Sequence, residues 1–285
     1  MRHFAESGHD VVATFYTFPH YLHQVAGCQP VPLDMAEGSA IGQLVARFQP
    51  DFILHAAALA RPQRLDGSSH LHAVNVTGTG HLAAAAAAHD IPIVYLSTDL
   101  VYPSNAGICN ELSAVAPSGA GSYSISKLAG EEAIRAHAGR WVIIRPALMY
   151  GNGTHRSNSF TQFMERNWDE GRPAPLLTDQ YRSFLYVGDL ITAIEQVAIR
   201  NPHWNELYVC GGPERLSRAE FGVRYAEASG RDGSACRLMK ASELEGYVGG
   251  PSDISLDTAK LRATGWTPRT LEESFAQILR ERVGE

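Results

Sequence analysis

The chain has 285 residues, 45% of them hydrophobic, enough for one large core or two unequal domains. With 24 Lys and Arg against 30 Asp and Glu, its formal charge of −6 gives no general attraction to nucleic acid or an anionic membrane, so a small-molecule partner is expected. Cys28, Cys109, Cys210 and Cys236 are scattered without a C-x-x-C pair, which indicates neither a disulfide framework nor a metal site and fits the reducing cytoplasm. No stretch reaches the ~18 apolar residues of a membrane span, and residues 1–10 lack the apolar segment of a signal peptide.

In chain order, MRHFAESGHDVVATF reads as the tail of a helix, a turn at Ser7, Gly8 and His9, and a β-rich strand over Val11–Phe15. In a dinucleotide-binding unit such a helix follows a first strand and a glycine-rich turn, where backbone N–H groups and a helix N-terminus meet a pyrophosphate. No G-x-x-G-x-x-G precedes it here. The expectation is therefore an N-terminally incomplete dinucleotide-binding domain, with a gap between Val11–Phe15 and the strand at residues 52–55; the alternative is a variant that begins at this helix. Residues 31–33 make a short strand ending at Asp34, and residues 41–48 have helical spacing. DFILHAAA, residues 51–58, is a strand running into Ala56, Ala57 and Ala58, small residues that admit either a ligand or a tightly packed helix. Residues 68–89 read as one long helix with Asn75 inside it.

An apolar run at residues 91–96 ends in Ser97 and Thr98, as a buried parallel strand does when it delivers polar groups at its carboxyl edge, where open α/β sheets bind ligands. An irregular loop at residues 103–119 follows. In YSISKLAGE, which opens a helix over residues 122–137, Tyr123 and Lys127 share one helix face about a turn apart. A phenol titrates near ~10 in water, and a neighbouring ammonium is expected to lower that value toward one useful for proton transfer. A Tyr with Lys at i+4 also occurs on plain solvated helix faces; the Ser-Thr strand end gives this pair its weight. A strand at residues 141–147 completes the large sheet.

Beyond Gly151 the alternation is less regular: a loop, a helix at residues 160–168 and a Pro-rich exit to Thr178. Residues 185–187 lead a helix to Arg200, and residues 206–209 make another strand. Ser217 and Glu220 have capping-box spacing for a helix ending near Gly230, and residues 271–283 are amphipathic. The expected fold is α/β, a doubly wound parallel (Rossmann-like) sheet with a smaller C-terminal substrate domain. Residues 1–150 form the dinucleotide-binding domain, to which residues 179–210 return in part, and residues 151–178 and 211–285 form the substrate-binding region.

HAAA (residues 55–58), AVNVTGT (73–79), LSTDLVY (96–102), YSISKLAGE (123–131), RPALMYG (145–151), DQYRSFLYVGDL (179–190) and SLDTAKL (255–261) follow one another along nearly the whole chain. Together they resemble the extended short-chain dehydrogenases/reductases, in the branch of dTDP-4-dehydrorhamnose reductase and other sugar-nucleotide-binding reductases. The resemblance implies reduction of a keto group on a nucleotide-linked sugar with NADP, NAD being the alternative. Tyr123 would donate a proton, Lys127 would hold the nicotinamide ribose, and Thr98 would orient the carbonyl. Thr14 and Phe15 would flank the adenosine end of the cofactor, Asp34 and Met35 the adenine, and Ala56, Ala57 and Ala58 the ribose and pyrophosphate, with Asn75, Ser97 and Pro146 completing its surroundings. Asp99, Tyr102, Leu148 and Arg182 would contact substrate. Arg182 is suited to a bidentate diphosphate contact, or alternatively to a surface ion pair. The absence of an acidic residue after Val11–Phe15 favours NADP over NAD.

The chain departs from the reductase pattern at three places. Leu148 stands where a tryptophan packs on the sugar, Leu100 replaces an aromatic residue, and Gly250 replaces an arginine before Pro251. These changes imply a different sugar pocket. They also keep open a non-catalytic NADP-binding subunit resembling the regulatory subunit of methionine adenosyltransferase, and a sugar-nucleotide epimerase, against which the S-T-D triplet counts. A homodimer is compatible with either reading.

Overall fold

The computed structural model describes residues 1–285 except residues 18–24, 61–66, 117–120, 154–158, 248 and 284–285. Parts of the loops read at residues 103–119 and between Gly151 and the helix at residues 160–168 thus fall outside the described residues. Two compact units emerge, Met1–Tyr95 with Ile125–Trp141, and Leu96–Ser124 with Val142–Glu285.

In the first unit, α1 (Arg2–Glu6) closes on Gly8, whose φ of 87° is a left-handed conformation that glycine adopts freely. Strand β1 (Val11–Phe15) pairs in parallel with β2 (Cys28–Pro32), from Val11 opposite Cys28 to Phe15 opposite Pro32. β2 starts three residues before the strand read from the sequence. Its prolines are tolerated because the N–H of Leu33 faces β1, donating to the Phe15 carbonyl at 2.8 Å, so by alternation positions 30 and 32 face away from the ladder. Helix α2 (Gly38–Phe48) buries Ile41 and Val45. Strand β3 (Ile53–His55) is shorter than expected, leaving Ala56, Ala57 and Ala58 outside it.

The long helix expected at residues 68–89 is interrupted. Helix α3 (Gly67–His72) runs through a π-helical turn, Ala73–Thr77, into α4 (Gly78–Ala88), which packs on α2. Gly78 is required there, because a Cβ at that position would lie 2.0 Å from the Met35 carbonyl oxygen. Strand β4 (Ile93–Leu96) pairs in parallel with β3, Ile53 opposite Ile93 and His55 opposite Tyr95. Among the described residues no ladder joins β1 to β3, the separation expected from the sequence. Helix α5 (Ser122–His137) approaches β4 closely at Gly130, where a Cβ would meet the Tyr95 hydroxyl at 2.2 Å.

The second unit contains, in order, β5 (Trp141–Pro146), β6 (Met149–Tyr150), α6 (Phe160–Asp169), β7 (Ala174–Leu177), β8 (Tyr181–Arg182), β9 (Leu185–Tyr186), α7 (Val187–Glu195), β10 (Glu206–Cys210), β11 (Leu216–Ser217), α8 (Arg218–Ala228), β12 (Cys236–Met239), α9 (Ala259–Arg262) and α10 (Leu271–Val283). Parallel ladders join β5 to β10, β6 to β9 and β7 to β12, while β8 and β11 are antiparallel. The β7–β12 ladder was not foreseen: APLL reads as a Pro-rich exit, and CRLM keeps Arg237 and Leu238 exposed.

The core of this unit is an aromatic cluster around Phe221. Its ring stacks 4.1 Å from Phe184 and meets Tyr150 edge-on at 4.8 Å, an arrangement that suits the ring quadrupoles. The capping box is present, Ser217 Oγ accepting from the Glu220 N–H at 3.0 Å and Glu220 accepting from the Ser217 N–H at 2.7 Å. Among the described residues no helix is long and apolar enough to cross a membrane.

The α/β class and parallel pairing match the Rossmann-like expectation.

Candidate functional site

In the first unit a hydrogen-bond network holds the chain beyond β3. Asn75 Oδ1 accepts from the Leu59 N–H at 2.8 Å, while Nδ2 donates to the Leu59 carbonyl at 3.1 Å and to Ser126 Oγ on α5 at 2.9 Å. One amide thus uses both donors and its carbonyl to tie the residue 59 backbone to a helix. The π-helical turn serves the same network, because the Asn75 carbonyl accepts from Thr79 Oγ1 at 2.8 Å. That bond consumes the hydroxyl proton of Thr79. The 2.9 Å contact between Thr79 Oγ1 and His55 Nε2 must then be donated by the histidine, which fixes its tautomer. Burial, and next Lys127, push His55 down to about 3, so its ring is neutral.

Lys127 is buried, at 2% exposure, with its ammonium 3.9 Å from the centroid of the Tyr95 ring. Burial pulls it down to about 7, against the opposing effect of Glu131, so it sits near the balance between its two protonation states at neutral pH. The implied cofactor contacts of this unit have varied exposure. Thr14, Ala56 and Ala57 are exposed; Phe15, Asp34 and Ala58 are half-buried; Met35 is buried. Asp34 Oδ1 accepts from the Ala36 N–H at 2.8 Å, an Asx turn that shapes the exit from β2.

The second unit holds Thr98, Asp99 and Tyr123. Ser97 donates its N–H to the Ile144 carbonyl at 2.7 Å, and Thr98 then caps a 3₁₀ turn at Asp99–Val101 by accepting from the Leu100 N–H. That turn carries Asp99 inward to 4% exposure, where burial raises it to about 6 despite Arg182 and the bond from Thr98. Asp99 Oδ2 has no hydrogen-bond partner. Half-buried Tyr123 is shifted upward, by burial first and then by the Asp99 carboxylate. The lowering expected from Lys127 is not seen: desolvation of the phenolate and a neighbouring negative charge both keep the phenol protonated.

Tyr102 is fully buried, its hydroxyl donating to the Asn110 carbonyl at 2.8 Å and accepting from Arg145 at 3.0 Å. Leu148 packs on the aromatic cluster, and Pro146 is buried at the end of β5. Arg182, 3% exposed, donates to the carbonyls of Tyr181 and Pro251, and is therefore no surface ion pair. Three further groups belong to these surroundings, the His55–Thr79 pair, Gln180 and Arg218. The His55–Thr79 link was detectable in principle, from Thr79 lying four residues after Asn75 on one helical stretch. Gln180 and Arg218 had no local signal, since their placement depends on the pairing of β8 with β11.

The family model described as the RmlD substrate binding domain matches residues 1–283. The chain belongs to that family. Among its relatives is the probable low-salt glycan biosynthesis reductase Agl14 of Haloferax volcanii, 25% identical over 98% of this chain and 92% of that protein. The methionine adenosyltransferase 2 subunit beta of Xenopus laevis is 27% identical over 84% of this chain and 72% of that subunit. The crystal structure of dTDP-4-dehydrorhamnose reductase from Bacillus anthracis in complex with NADP superposes with a TM-score of 0.78 at 22% identity, covering 95% of this chain and 98% of that one. That likeness establishes the shared fold.

Proposed function

We propose that this member of the family is a cytoplasmic NADP-dependent reductase of a keto group on a nucleotide-linked sugar. The observation that carries the reading is a protonated Tyr123 four residues before a buried, near-neutral Lys127 on α5. The reductases among its relatives support the reaction class, and the NADP bound to the Bacillus anthracis enzyme supports the cofactor. Exposed Thr14, Ala56 and Ala57, with Asp34 and Met35, fit the adenosine and ribose side of a dinucleotide, because two alanines without longer side chains leave the backbone approachable. These residues contain no G-x-x-G-x-x-G to assign to the pyrophosphate.

A bound nicotinamide supplies the hydride. Tyr123 gives the phenolic proton to the carbonyl oxygen, and Thr98 hydrogen-bonds the same oxygen and sets its direction. Lys127 holds the nicotinamide ribose through its amino group. The Asn75 network keeps the chain after β3 in place, with Ser97 and Pro146 beside the cofactor. Asp99 and Arg182 contact the substrate, together with the substrate-binding region of residues 151–178 and 211–285; Tyr102 and Leu148 shape its surroundings by packing.

The test is NADPH consumption with a panel of dTDP-, UDP- and GDP-linked keto sugars, beside calorimetric titration of NADPH and NADH. Turnover of at least one sugar is expected, with NADPH bound more tightly than NADH. With leucines at 100 and 148, dTDP-4-dehydrorhamnose should be a poor substrate, below the ordinary ~10⁴ M⁻¹s⁻¹ in kcat/KM. NADPH binding without turnover of any sugar would overturn the reading. It would favour instead a non-catalytic subunit, which the same two leucines and the methionine adenosyltransferase relative support.

A further inference from the structure

We propose that Arg218 is the second arm of a two-guanidinium clamp with Arg182, seating the diphosphate of the nucleotide-linked substrate. The inference rests on the nucleotide-sugar reading and adds a specificity-determining residue to it.

The geometry comes from the β8–β11 ribbon. Leu216 stands opposite Arg182 and Ser217 opposite Tyr181, and the pairing continues one step further, with the Arg218 N–H donating to the Gln180 carbonyl at 2.9 Å. That bond sets Arg218, the first residue of α8, beside Gln180 and so two residues along the chain from Arg182, and its guanidinium lies over the Phe160 ring, 5.4 Å from the centroid.

These arginines lack matching counter-charges. Among the described residues neither makes an ion pair within 4.0 Å, whereas nearby Arg215 and Arg224 both do. Arg218 is lowered to about 10, by burial first and then by Arg182. Asp99 is the carboxylate whose field reaches both, and Asp253, which also acts on Arg182, is held by Arg215 at 2.7 Å. Two cations facing one carboxylate leave an uncompensated positive charge in a desolvated place.

Three buried atoms in this neighbourhood have no hydrogen-bond partner: Asp99 Oδ2, Gln180 Oε1 and Arg218 Nε. Asp99 and Gln180 are 4% and 2% exposed. Leaving several buried polar atoms unmet in one place is costly unless a ligand meets them. Arg182 spends two of a guanidinium's five N–H donors on carbonyls, and the Arg218 side chain spends none on the protein, so both keep donors for phosphate oxygens. Asp99 and Gln180 are acceptors, suited to the hydroxyls that flank a diphosphate in a nucleotide sugar. Gly250 leaves room beside them, since a Cβ there would meet the Tyr247 hydroxyl at 2.4 Å and Gln180 Nε2 at 3.3 Å.

The test is calorimetry on the 285-residue chain with UDP, dTDP and GDP and with the corresponding monophosphates. Wild type should bind at least one diphosphate about 10-fold or more above its monophosphate, and Arg218→Gln should lose about 30-fold in diphosphate affinity while monophosphate affinity stays within about threefold. Arg218→Lys should recover part of the loss. Arg224→Gln, the same charge change at an arginine already paired with Glu214 and Glu272, should leave both affinities unaltered. If Arg218→Gln or, should that variant melt early, Arg218→Met or Arg218→Lys keeps the full diphosphate preference, the clamp is wrong and the nucleotide-sugar reading stands. If wild type binds none of the three diphosphates, the reading falls and takes the clamp with it.

Discussion

In the unit built from Met1–Tyr95 and Ile125–Trp141, His55, Asn75, Thr79 and Ser126 all end on protein partners, whereas the four buried side-chain atoms without one, Asp99 Oδ2, Ser124 Oγ, Gln180 Oε1 and Arg218 Nε, all belong to the other unit, among the described residues. A satisfied network has one arrangement and holds its backbone rigid; an unsatisfied one carries a standing cost that a polar ligand can remove. On the proposed function, the contrast is a division between groups that the protein itself satisfies and groups left for a polar substrate.

The strongest attack on that division is Tyr123→Phe. Removing the phenolic proton should lower kcat by about 100-fold or more while NADPH affinity stays within about twofold. A variant that keeps kcat within about threefold of wild type would remove Tyr123 from the chemistry.

Stability should separate the units next. Asn75→Ala removes the side-chain partner of the Leu59 N–H and carbonyl and one bond to Ser126 Oγ, and each buried group left unmet costs about 1–3 kcal/mol, so chemical denaturation should show a loss of at least about 2 kcal/mol. Ser124→Ala, in the other unit, removes a buried hydroxyl whose Oγ has no hydrogen-bond partner, and its cost should stay below about 1 kcal/mol. Equal losses in the two variants would erase the contrast.

The pH dependences should have opposite signs. His55 is lowered in the folded state from 6.5 to about 3, so the unfolded chain binds the extra proton between those values, and stability present above pH 6.5 is lost as pH falls toward 3. Asp99 is raised from 3.8 to about 6, so the folded chain holds the extra proton, and that stability, complete below pH 3.8, is lost as pH rises through 6. Denaturation from pH 3 to 7 should therefore show His55→Gln losing a rising slope and Asp99→Asn a falling one. Slopes of the same sign would contradict the burial assigned to one of the two groups.

A further pH dependence concerns Lys127, whose folded value of about 7 lies below its ordinary 10.5. The unfolded chain binds the proton between those values, so burying the charged form penalises stability fully below pH 7, and the penalty lifts as pH climbs toward 10.5. The stability advantage of Lys127→Met over wild type should accordingly shrink from pH 7 to pH 10.

Much of the fold was legible where the signal was local. Helix α5, the capping box at Ser217 and Glu220, strand β10 and the terminal helix α10 follow from periodicity and end chemistry contained within a dozen residues. Strand β2 begins at Cys28, before the strand read at residues 31–33, and its two prolines lie where the ladder needs no donor. The π-helical turn at Ala73–Thr77 has no compositional mark; it is stabilised by Asn75 and Thr79 bonding to partners distant in sequence. Of the proposed site, Thr98, Tyr123, Lys127 and Arg182 stand out by pattern, and Arg218 does not, because a backbone pairing across 38 residues carries it to Gln180.

The sequence by itself determined which residue types stand in order along the helices and strands, including Tyr123 and Lys127 one turn apart, since helical geometry translates spacing directly into a shared face. Only the tertiary structure decided their charge. Burial pulls Lys127 down to about 7 and raises Tyr123 and Asp99, against the simple expectation that an adjacent ammonium lowers the phenol. Charge states depend on how much water the whole fold removes and on which groups from elsewhere it brings near, and neither quantity is written in the spacing of neighbouring residues.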